Sequence, residues 1–284
     1  MRNSFLWFLT LVLISCTVSR TSKIPIISET LPVTEQVADS LWALRADPEI
    51  AIASLQMFQE LAEHDSTSIE RWTDLARAYY YCSQYLTPSA AARDSMFLLG
   101  HDASQVILKQ NREYRDLLFS TGDERIAIRG LDEKFIESLY WGMANYGQWL
   151  STKSSIVRMG QRELFWVTLD HINDLDSNFH WGAYYRYKGA LLRQDPTTEN
   201  DTLAIKQAFE SAISIAPDYL GNYTLMAQYY CPLAGDKNLF YQLLTKVVTA
   251  TPNPELPYYP ENVAEKVIAD RLMIKAEKEN WFGL

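Results

Sequence analysis

The side chains that usually carry catalysis or bind metals are few in this chain of 284 residues, and their spacing fits no catalytic or metal-binding motif. The four histidines are scattered, at His64, His101, His171 and His180. Zinc sites need two such ligands within about one helical turn, or a close pair of cysteines, and the chain has neither. A phosphate-binding glycine loop and a Gly-x-Ser-x-Gly turn are also missing. The sequence therefore predicts a protein that is not an enzyme and that uses no cofactor or metal.

Asp174, Asp176 and Asn178 have the spacing of the first ligands of an EF-hand calcium loop. The sixth position of such a loop is a glycine and the twelfth a glutamate, but here they are Phe179 and Tyr185. A loop with these replacements lacks both its sharp turn and its bidentate ligand. We interpret the acidic residues instead as a cap for a helix that begins near Asn178.

Two stretches, residues 139–150 and 179–192, combine tyrosine and tryptophan with glycine. In the first stretch, Trp141, Asn145 and Trp149 recur at four-residue spacing and therefore share one helix face. Glycine leaves space beside a helix, and indole and phenol rings line such a space with an apolar body and a polar tip. The pattern predicts a site for a ligand or partner, formed by Tyr140, Trp141, Asn145, Trp149, Tyr184 and Tyr185. Ordinary core packing is the alternative for any one of these residues.

A covalent modification is predicted near the N-terminus, where Cys16 follows a short apolar run. The run from Phe5 to Ile14 is too short to cross a bilayer, which takes about 20 helical residues. The tetrapeptide Leu13-Ile14-Ser15-Cys16 resembles the lipobox of bacterial lipoprotein signals, in which the cysteine sulfur receives a diacylglycerol. We expect residues 1–15 to be a cleaved signal peptide, Cys16 to anchor the protein to a membrane from the periplasm, and residues 16–34 to be a flexible spacer.

The composition is that of an acidic protein with ample material for a packed core. The formal charge is −9, and 48% of the residues are hydrophobic. Because no run of lysine and arginine is present, nucleic acid and anionic lipid headgroups are disfavoured as partners. Once Cys16 is lipidated, only Cys82 and Cys231 remain. For these two, a disulfide and a pair of buried free thiols both stay open.

From Thr34 onward, apolar residues recur at helical spacing, and strand-like alternation is nearly absent. The helices are interrupted at turn signals, namely Asp47-Pro48, Thr87-Pro88, Asp195-Pro196, Ala216-Pro217 and Thr251-Pro252-Asn253-Pro254. We therefore predict an all-α fold for residues 35–284.

The tetratricopeptide repeat has an aromatic residue, a leucine, a small residue and a tyrosine at fixed positions of its first helix. Trp72, Leu75, Ala76 and Tyr79 match these four positions in spacing. A small residue beside an aromatic one lets antiparallel helices approach closely, and stacked pairs then bury a continuous core. The pattern predicts tetratricopeptide-like hairpins packed into one helical-repeat domain, with Trp72, Leu75 and Tyr79 buried between helices. An irregular helical bundle is the alternative.

Several segments resemble, in order and spacing, the T component of tripartite ATP-independent (TRAP) transporters. They are Phe97-Leu98-Leu99-Gly100-His101-Asp102-Ala103, Tyr140-Trp141-Gly142, Asn145-Tyr146-Gly147, Ala208-Phe209-Glu210-Ser211-Ala212-Ile213, Phe240-Tyr241-Gln242-Leu243-Leu244, Glu261-Asn262-Val263-Ala264 and Trp281-Phe282. The sequence departs from the family pattern at His101, where the family has Arg, and at Tyr146, where it has Trp. We therefore assign to His101 and Tyr146 none of the polar roles that these positions have in the family.

The resemblance implies a non-enzymatic periplasmic lipoprotein with a tetratricopeptide-like body and a cleft or pore. It also implies a homo-oligomer, a trimer, that engages the periplasmic solute-binding subunit of the transporter. We therefore predict an accessory protein that docks this subunit and holds a small ligand in an aromatic-lined cleft. The alternative is a general tetratricopeptide scaffold that binds envelope proteins without any small ligand.

Overall fold

The computed structural model describes residues 31–195 and 201–283, and its regular structure there is entirely helical, as predicted. The helices are α1 (Glu35–Ala43), α2 (Pro48–His64), α3 (Ile69–Tyr81), α4 (Ala90–Leu108), α5 (Arg112–Thr121), α6 (Glu124–Ile128), α7 (Ile136–Ser151), α8 (Ser155–Leu175), α9 (Phe179–Gln194), α10 (Thr202–Ile215), α11 (Gly221–Tyr229), α12 (Cys231–Ala234), α13 (Lys237–Thr249) and α14 (Tyr259–Lys278). A π-helical turn, Cys82–Leu86, follows α3 directly. The tetratricopeptide-like arrangement of these helices stays a prediction.

Helix ends lie at the predicted turn signals. Pro48 opens α2, and the carboxylate of Asp47 caps it by accepting hydrogen bonds from two backbone N–H groups of the first turn. Helix α10 ends before Ala216-Pro217. Asp176 accepts a hydrogen bond from the N–H of Asn178 at 2.9 Å, one residue before α9 begins. Asp174 lies in the last turn of α8, Asp176 directly follows that helix, and no side chain caps the start of α9, so the predicted helix cap is wrong.

The helices pack around two large apolar cores, and Ala216, Tyr219 and Tyr258 form a small third cluster. The first core is formed mainly by α1 to α4, α7 and α8, with α4 lying along α7 and α3 packed against both. The second is formed by α10, α11, α13 and α14. Helix α9 contacts α8 on one hand and α10 and α11 on the other. It therefore connects the two cores, and its position decides how the side chains of the two halves meet.

The α3 positions that match the tetratricopeptide pattern are buried with one exception. Leu75, Ala76 and Tyr79 are buried in the first core, as predicted for the leucine and the tyrosine. Trp72 packs against the same core but is only partly buried. The residue lies in the first turn of α3, where neighbouring helices cover only part of a large indole.

Cys82 and Cys231 are both buried free thiols. Cys82 belongs to the first core and Cys231 to the second. Burial raises the pKa of each thiol to about 12, so both are protonated and unreactive at neutral pH. Of the two outcomes left open by the sequence, the structure shows the free thiols.

Candidate functional site

A cavity of about 210 Å³ opens between α3, α7, α8, α9, α11 and α14. Its wall is mainly aromatic, with Tyr80, Tyr81, Tyr85, Tyr140, Trp141, Phe165, Trp166, Tyr187, Tyr219 and Tyr229. Polar side chains lie among these rings, chiefly Arg77, His180, Arg186 and Glu265. Ser151, Ser155 and Met159 line the cavity and are exposed, so they mark its opening. A concave space with a mostly apolar surface and polar groups placed among the rings is typical of small-ligand sites.

Helix α7 supplies two rings of the wall. Tyr140 and Trp141 are buried, with ring centroids 4.7 Å apart. Trp141 also lies 5.4 Å from Tyr80 of α3, and Tyr140 lies 5.8 Å from Tyr187 of α9. Edge-on and tilted ring pairs at these distances are favourable. The rings therefore hold one another in place, and the wall is preformed.

The other four predicted site residues do not line this cavity. The Nζ atom of Lys153 lies 4.5 Å from the centre of the Trp149 ring. Tyr184 and Tyr185 contact each other at 5.1 Å on α9. Asn145 is fully buried between helices. The structure thus brings Tyr140 and Trp141 together in the cavity wall and leaves the remaining four outside it, and binding by any of the six stays a prediction.

Asn145 joins three helices behind the cavity wall. Its Nδ2 donates to the carbonyl oxygen of Ala76 in α3 at 3.0 Å and to that of Trp141 at 2.8 Å. Gly100 of α4 lies directly against this amide, since a Cβ there would be 2.5 Å from Asn145 Oδ1. The glycine therefore permits α4 and α7 to pack closely, and the amide ties Trp141 to α3.

A backbone break in the first turn of α9 directs His180 toward the cavity. His180, Trp181 and Gly182 have φ angles of 46°, 59° and 80°, in the left-handed region. This conformation costs about 1–3 kcal/mol for a residue with a side chain and persists only where the surroundings enforce it. Gly182 faces the backbone of α10, which a Cβ would approach to 3.1 Å. The His180 ring consequently lies 4.5 Å from Tyr140 and 5.0 Å from Trp141.

Arg186 is a buried cation that donates its hydrogen bonds to uncharged groups. Its Nη1 donates to Asn222 Oδ1 at 3.0 Å, and its Nη2 donates to Tyr140 Oη at 3.2 Å. None of the ion pairs in the described part of the chain includes it. Burial, together with the charges of Arg186 and Arg77, lowers the pKa of His180 well below its usual value. The imidazole is therefore neutral at neutral pH.

Two carboxyl groups from α14 also reach the cavity. Glu261 forms a buried ion pair with Arg45, 2.7 Å apart. Glu265 accepts hydrogen bonds from Tyr85 Oη at 2.8 Å and from the hydroxyl of Thr224. Burial raises the pKa of Glu265, so its protonated form is favoured more than in water. Glu261 is therefore neutralised by its ion pair, and Glu265 is held by hydrogen bonds from two hydroxyl groups.

The sequence of this chain matches one known protein family over most of the cavity-forming helices. A family model described as TRAP transporter T-component matches residues 92–279. The chain belongs to the TRAP transporter T-component family. The resemblance predicted from the sequence is confirmed. A search of curated proteins finds no match.

Membership identifies this T component as an accessory part of a TRAP transport system, with a place in the cell envelope. Among the described residues, no helix is long and apolar enough to cross a membrane. In the same residues, no group of three or more His, Cys, Asp or Glu side chains is placed to hold a metal ion. The match begins after α3, so Arg77 and Tyr80 reach the cavity from outside the matched region.

Sequence reasoning missed several cavity residues of this T component, namely Arg77, His180, Arg186, Tyr187 and Tyr219. One signal was available for Arg186, because it stands as a charge inside the aromatic run Tyr184-Tyr185-Arg186-Tyr187. A charged residue within such a run is buried only if it serves a polar site. Arg77 gave no signal, since a lone arginine on a helix is usually solvated.

Asp74 of α3 offers a test of the electrostatics beside the cavity. Burial raises its pKa to about 7, with the carboxylates Asp39 and Glu137 adding to the shift and Arg77 opposing it. Because the folded pKa lies above the unfolded one, the ionised group destabilises the fold increasingly as pH rises from about 4 to 7. Asp74→Asn is therefore expected to be more stable than the wild type at pH 8, by about 1–2 kcal/mol after allowance for relaxation, with a smaller gain at pH 5.

Urea denaturation at the two pH values measures this difference. Asp116→Asn, on an exposed part of α5, is the matched control and is expected to change stability by less than about 0.5 kcal/mol. A gain for Asp74→Asn that is equal at pH 5 and pH 8 would contradict the assignment of the effect to ionisation of Asp74.

Proposed function

We propose that this T component is anchored to a bacterial membrane through a lipid on Cys16, faces the periplasm, docks the solute-binding subunit of its transporter and holds a small ligand in the aromatic cavity. Cys16, the signal peptide and most of the spacer lie outside the described residues. Family membership supports the transport role. The observation that carries the ligand and docking parts is the preformed cavity with an apolar rim at its opening.

The rim consists of the first turn of α8. Ile156 is 81% exposed, and Val157 and Met159 are also exposed. Met159 lines the cavity with its neighbours Ser155 and Arg158, whereas Ile156 and Val157 lie in the same turn of α8 on the surface beside the opening. Apolar side chains grouped on a surface are typical of protein contact sites. A partner seated on this rim would cover the cavity and could exchange ligand with it.

Binding of the purified solute-binding subunit encoded with the same transporter tests the docking. The full-length chain is expected to bind it, and Ile156→Asn is expected to weaken binding at least about 10-fold, as for loss of a central apolar contact. Ile274→Asn is the matched control, because Ile274 is an isoleucine that is 66% exposed on a different helix, α14. It is expected to bind like the wild type.

Failure of the wild-type chain to bind that subunit, together with binding to unrelated envelope proteins, would favour the general scaffold alternative.

We propose in addition that the chain assembles as a trimer, as the family resemblance implies. Sedimentation equilibrium of the purified chain measures this directly, and a monomer at micromolar concentration would contradict it.

Cys16→Ser tests the anchor. The sulfur of Cys16 is the proposed attachment point of the diacylglycerol, and serine offers no thiol for that transfer. We expect the variant to leave the membrane fraction for the soluble fraction, or to accumulate as an uncleaved precursor. Fractionation with a blot against the C-terminus measures both. Acylated, membrane-bound Cys16→Ser protein would rule out this anchor, and Cys82→Ser is the control that should fractionate like the wild type.

A further inference from the structure

The cavity lies between two groups of helices that have separate apolar cores. The first lobe comprises α1 to α8 and contains the first core, and the second lobe comprises α9 to α14 and contains the second core. Among the described helices, α9 alone packs closely against helices of both groups, namely α8 in the first lobe and α10 and α11 in the second. Lobes with separate cores are free to move relative to each other unless a large apolar interface holds them.

Helix α9 is fixed to the second lobe by close backbone approach. A Cβ on Gly182 would lie 3.1 Å from the backbone of Ala212, and a Cβ on Gly189 would lie 2.7 Å from the ring of Phe209. Glycine at both positions therefore lets α10 lie directly along α9. Toward the first lobe, α9 presents apolar side chains, such as Tyr187, that pack against the first core. On this side the lobes meet along an apolar contact between α8 and α9, which we call the seam.

Polar contacts close the opposite side of the cavity. Arg45 of the first lobe pairs with Glu261 of α14 at 2.7 Å and donates to the carbonyl oxygen of Pro257 at 3.1 Å. Tyr85 Oη, also of the first lobe, donates to Glu265 Oε1 of α14 at 2.8 Å. Both glutamates line the cavity, so these contacts belong to its wall.

Tyr81, the last residue of α3, adds two hydrogen bonds on the same side. Its hydroxyl donates to the carbonyl oxygen of Arg45 at 2.9 Å and to that of Pro260 at 3.4 Å. We call the contacts of Arg45, Tyr81 and Tyr85 with α14 and its preceding turn the latch. Water can replace such contacts when the lobes separate, and it rehydrates the ion pair. The seam has no such replacement, because separating it would expose hydrocarbon to water. The latch is therefore the side at which the lobes can part.

The chain passes from the first lobe to the second through a short segment with an unusual backbone. Residues 176–178 connect α8 to α9, and His180, Trp181 and Gly182 then have φ angles of 46°, 59° and 80°. Residues with a side chain are strained in this region and keep it only where the surroundings enforce it. Hinges are a few residues at the ends of elements that absorb changes in φ and ψ. Rotation of α9 relative to α8 would change the backbone at this point and let the strain relax, so the segment opposes the latch.

We propose that the two lobes open and close about the seam, with residues 176–182 as the hinge and the latch holding the closed state. Opening separates α3 from α14, widens the cavity between them and so regulates entry and exit of its ligand. The proposal rests on the ligand-holding part of the proposed function and names its regulation.

Electron–electron double resonance between two nitroxide labels measures the movement in the absence of any ligand. The full-length Cys16→Ser protein carries one label at Glu60→Cys on α2 and the other at Asn238→Cys on α13, which are exposed positions on different lobes. Cys82 and Cys231 are buried, so the chain without added cysteines should take up no label. The distance between the two labels then reports the separation of the lobes.

The double variant Tyr81→Phe with Tyr85→Phe removes three hydrogen bonds of the latch and keeps both rings. We expect the distance between the labels to lengthen by more than about 2 Å, as in domain rearrangements. Tyr85→Phe alone should give a smaller shift in the same direction, and it decides the test if the double variant does not fold. Tyr114→Phe is the matched control, because Tyr114 Oη donates to Glu124 at the same distance of 2.8 Å but within the first lobe. It should leave the distance unchanged.

Two further label pairs locate the movement. Glu60→Cys with Asp102→Cys places both labels on the first lobe, and this distance should stay constant in every variant. Asp174→Cys at the end of α8 with Ser214→Cys on α10 places them near the hinge. Points near an axis of rotation move least, so this pair should shift less than the pair on α2 and α13.

An unchanged distance between α2 and α13 in the folded latch variants would overturn the proposal. An equal shift in Tyr114→Phe, or within the first lobe, would also overturn it, since the loosening would then be general. Binding of the solute-binding subunit is measured on the same labelled chain. Normal binding with lobes that do not part would overturn this proposal alone, whereas lobes that part in a chain that does not bind the subunit would support it and overturn the docking part of the proposed function.

Discussion

Arg45→Met is expected to lower the free energy of unfolding by about 3–5 kcal/mol, because it leaves the Glu261 carboxylate buried without its partner. Arg45 is 3% exposed, and its Nε and Nη2 both donate to Glu261. It lies in the turn between α1 and α2, whereas Glu261 lies in the first turn of α14. The pair therefore joins the first and last helices of the fold beside the cavity. Urea denaturation followed by circular dichroism measures the loss.

Two further variants identify the cause of this loss. Arg112→Met removes an exposed arginine from a surface pair on α5, and should cost less than about 1 kcal/mol. The double variant Arg45→Met with Glu261→Gln should recover part of the stability, since it removes the unpaired charge as well. Equal losses for the single and double variants would mean that the packing of Arg45 against Trp42, 4.5 Å away, matters more than the charge pair.

Local signals along the chain predicted the helices of this fold well. Asp47-Pro48 marked the start of α2 because an aspartate that caps and a proline that cannot donate are both chemically suited to a helix N-terminus. Leu75 and Tyr79 were correctly placed in the core from their spacing on α3. Trp72 packs against the same core but stays partly exposed, because spacing gives the face of a helix and not how far a neighbouring helix extends along it.

The cavity could be predicted only in part, because its polar residues meet through tertiary contacts. Tyr140 and Trp141 stood out as large rings beside glycine, and both line the cavity. Asn145 shared their helix, but its amide faces Gly100 on another helix, a contact that no spacing within α7 reveals. The contact between Arg45 and Glu261 spans 216 residues of sequence, and a single sequence carries no information on such a pair.

The spacing of apolar residues also could not predict the left-handed backbone conformation at His180. Residues 179–192 read as one aromatic helix, and the position of Gly182 suggested only an open space. In the structure, this glycine allows α9 to approach the backbone of α10 closely, and the preceding residues adopt positive φ angles as a consequence. The tertiary approach of two helices overrides the local preference for a regular helix.

Trp141→Ala is expected to cost about 3–5 kcal/mol of stability, the usual range for truncating an enclosed tryptophan. Trp141 is 5% exposed and contacts Tyr80, Tyr140 and His180. Trp149→Ala should cost less than about 2 kcal/mol, since Trp149 is only partly buried and lies outside the cavity. Melting temperatures of both variants, measured at the same pH, test this difference directly.

Binding measured on the folded fraction of each variant decides whether Trp141 also serves the site. We expect folded Trp141→Ala to lose at least about 10-fold in affinity for the solute-binding subunit, because Trp141 lines the cavity that this subunit is proposed to cover. Trp149→Ala should bind this subunit normally. Trp141→Phe keeps most of the buried volume and so should remain folded, which allows the affinity to be measured even if Trp141→Ala does not fold. Unchanged affinity in Trp141→Phe and in folded Trp141→Ala would mean that Trp141 is a core residue and that the subunit docks without it.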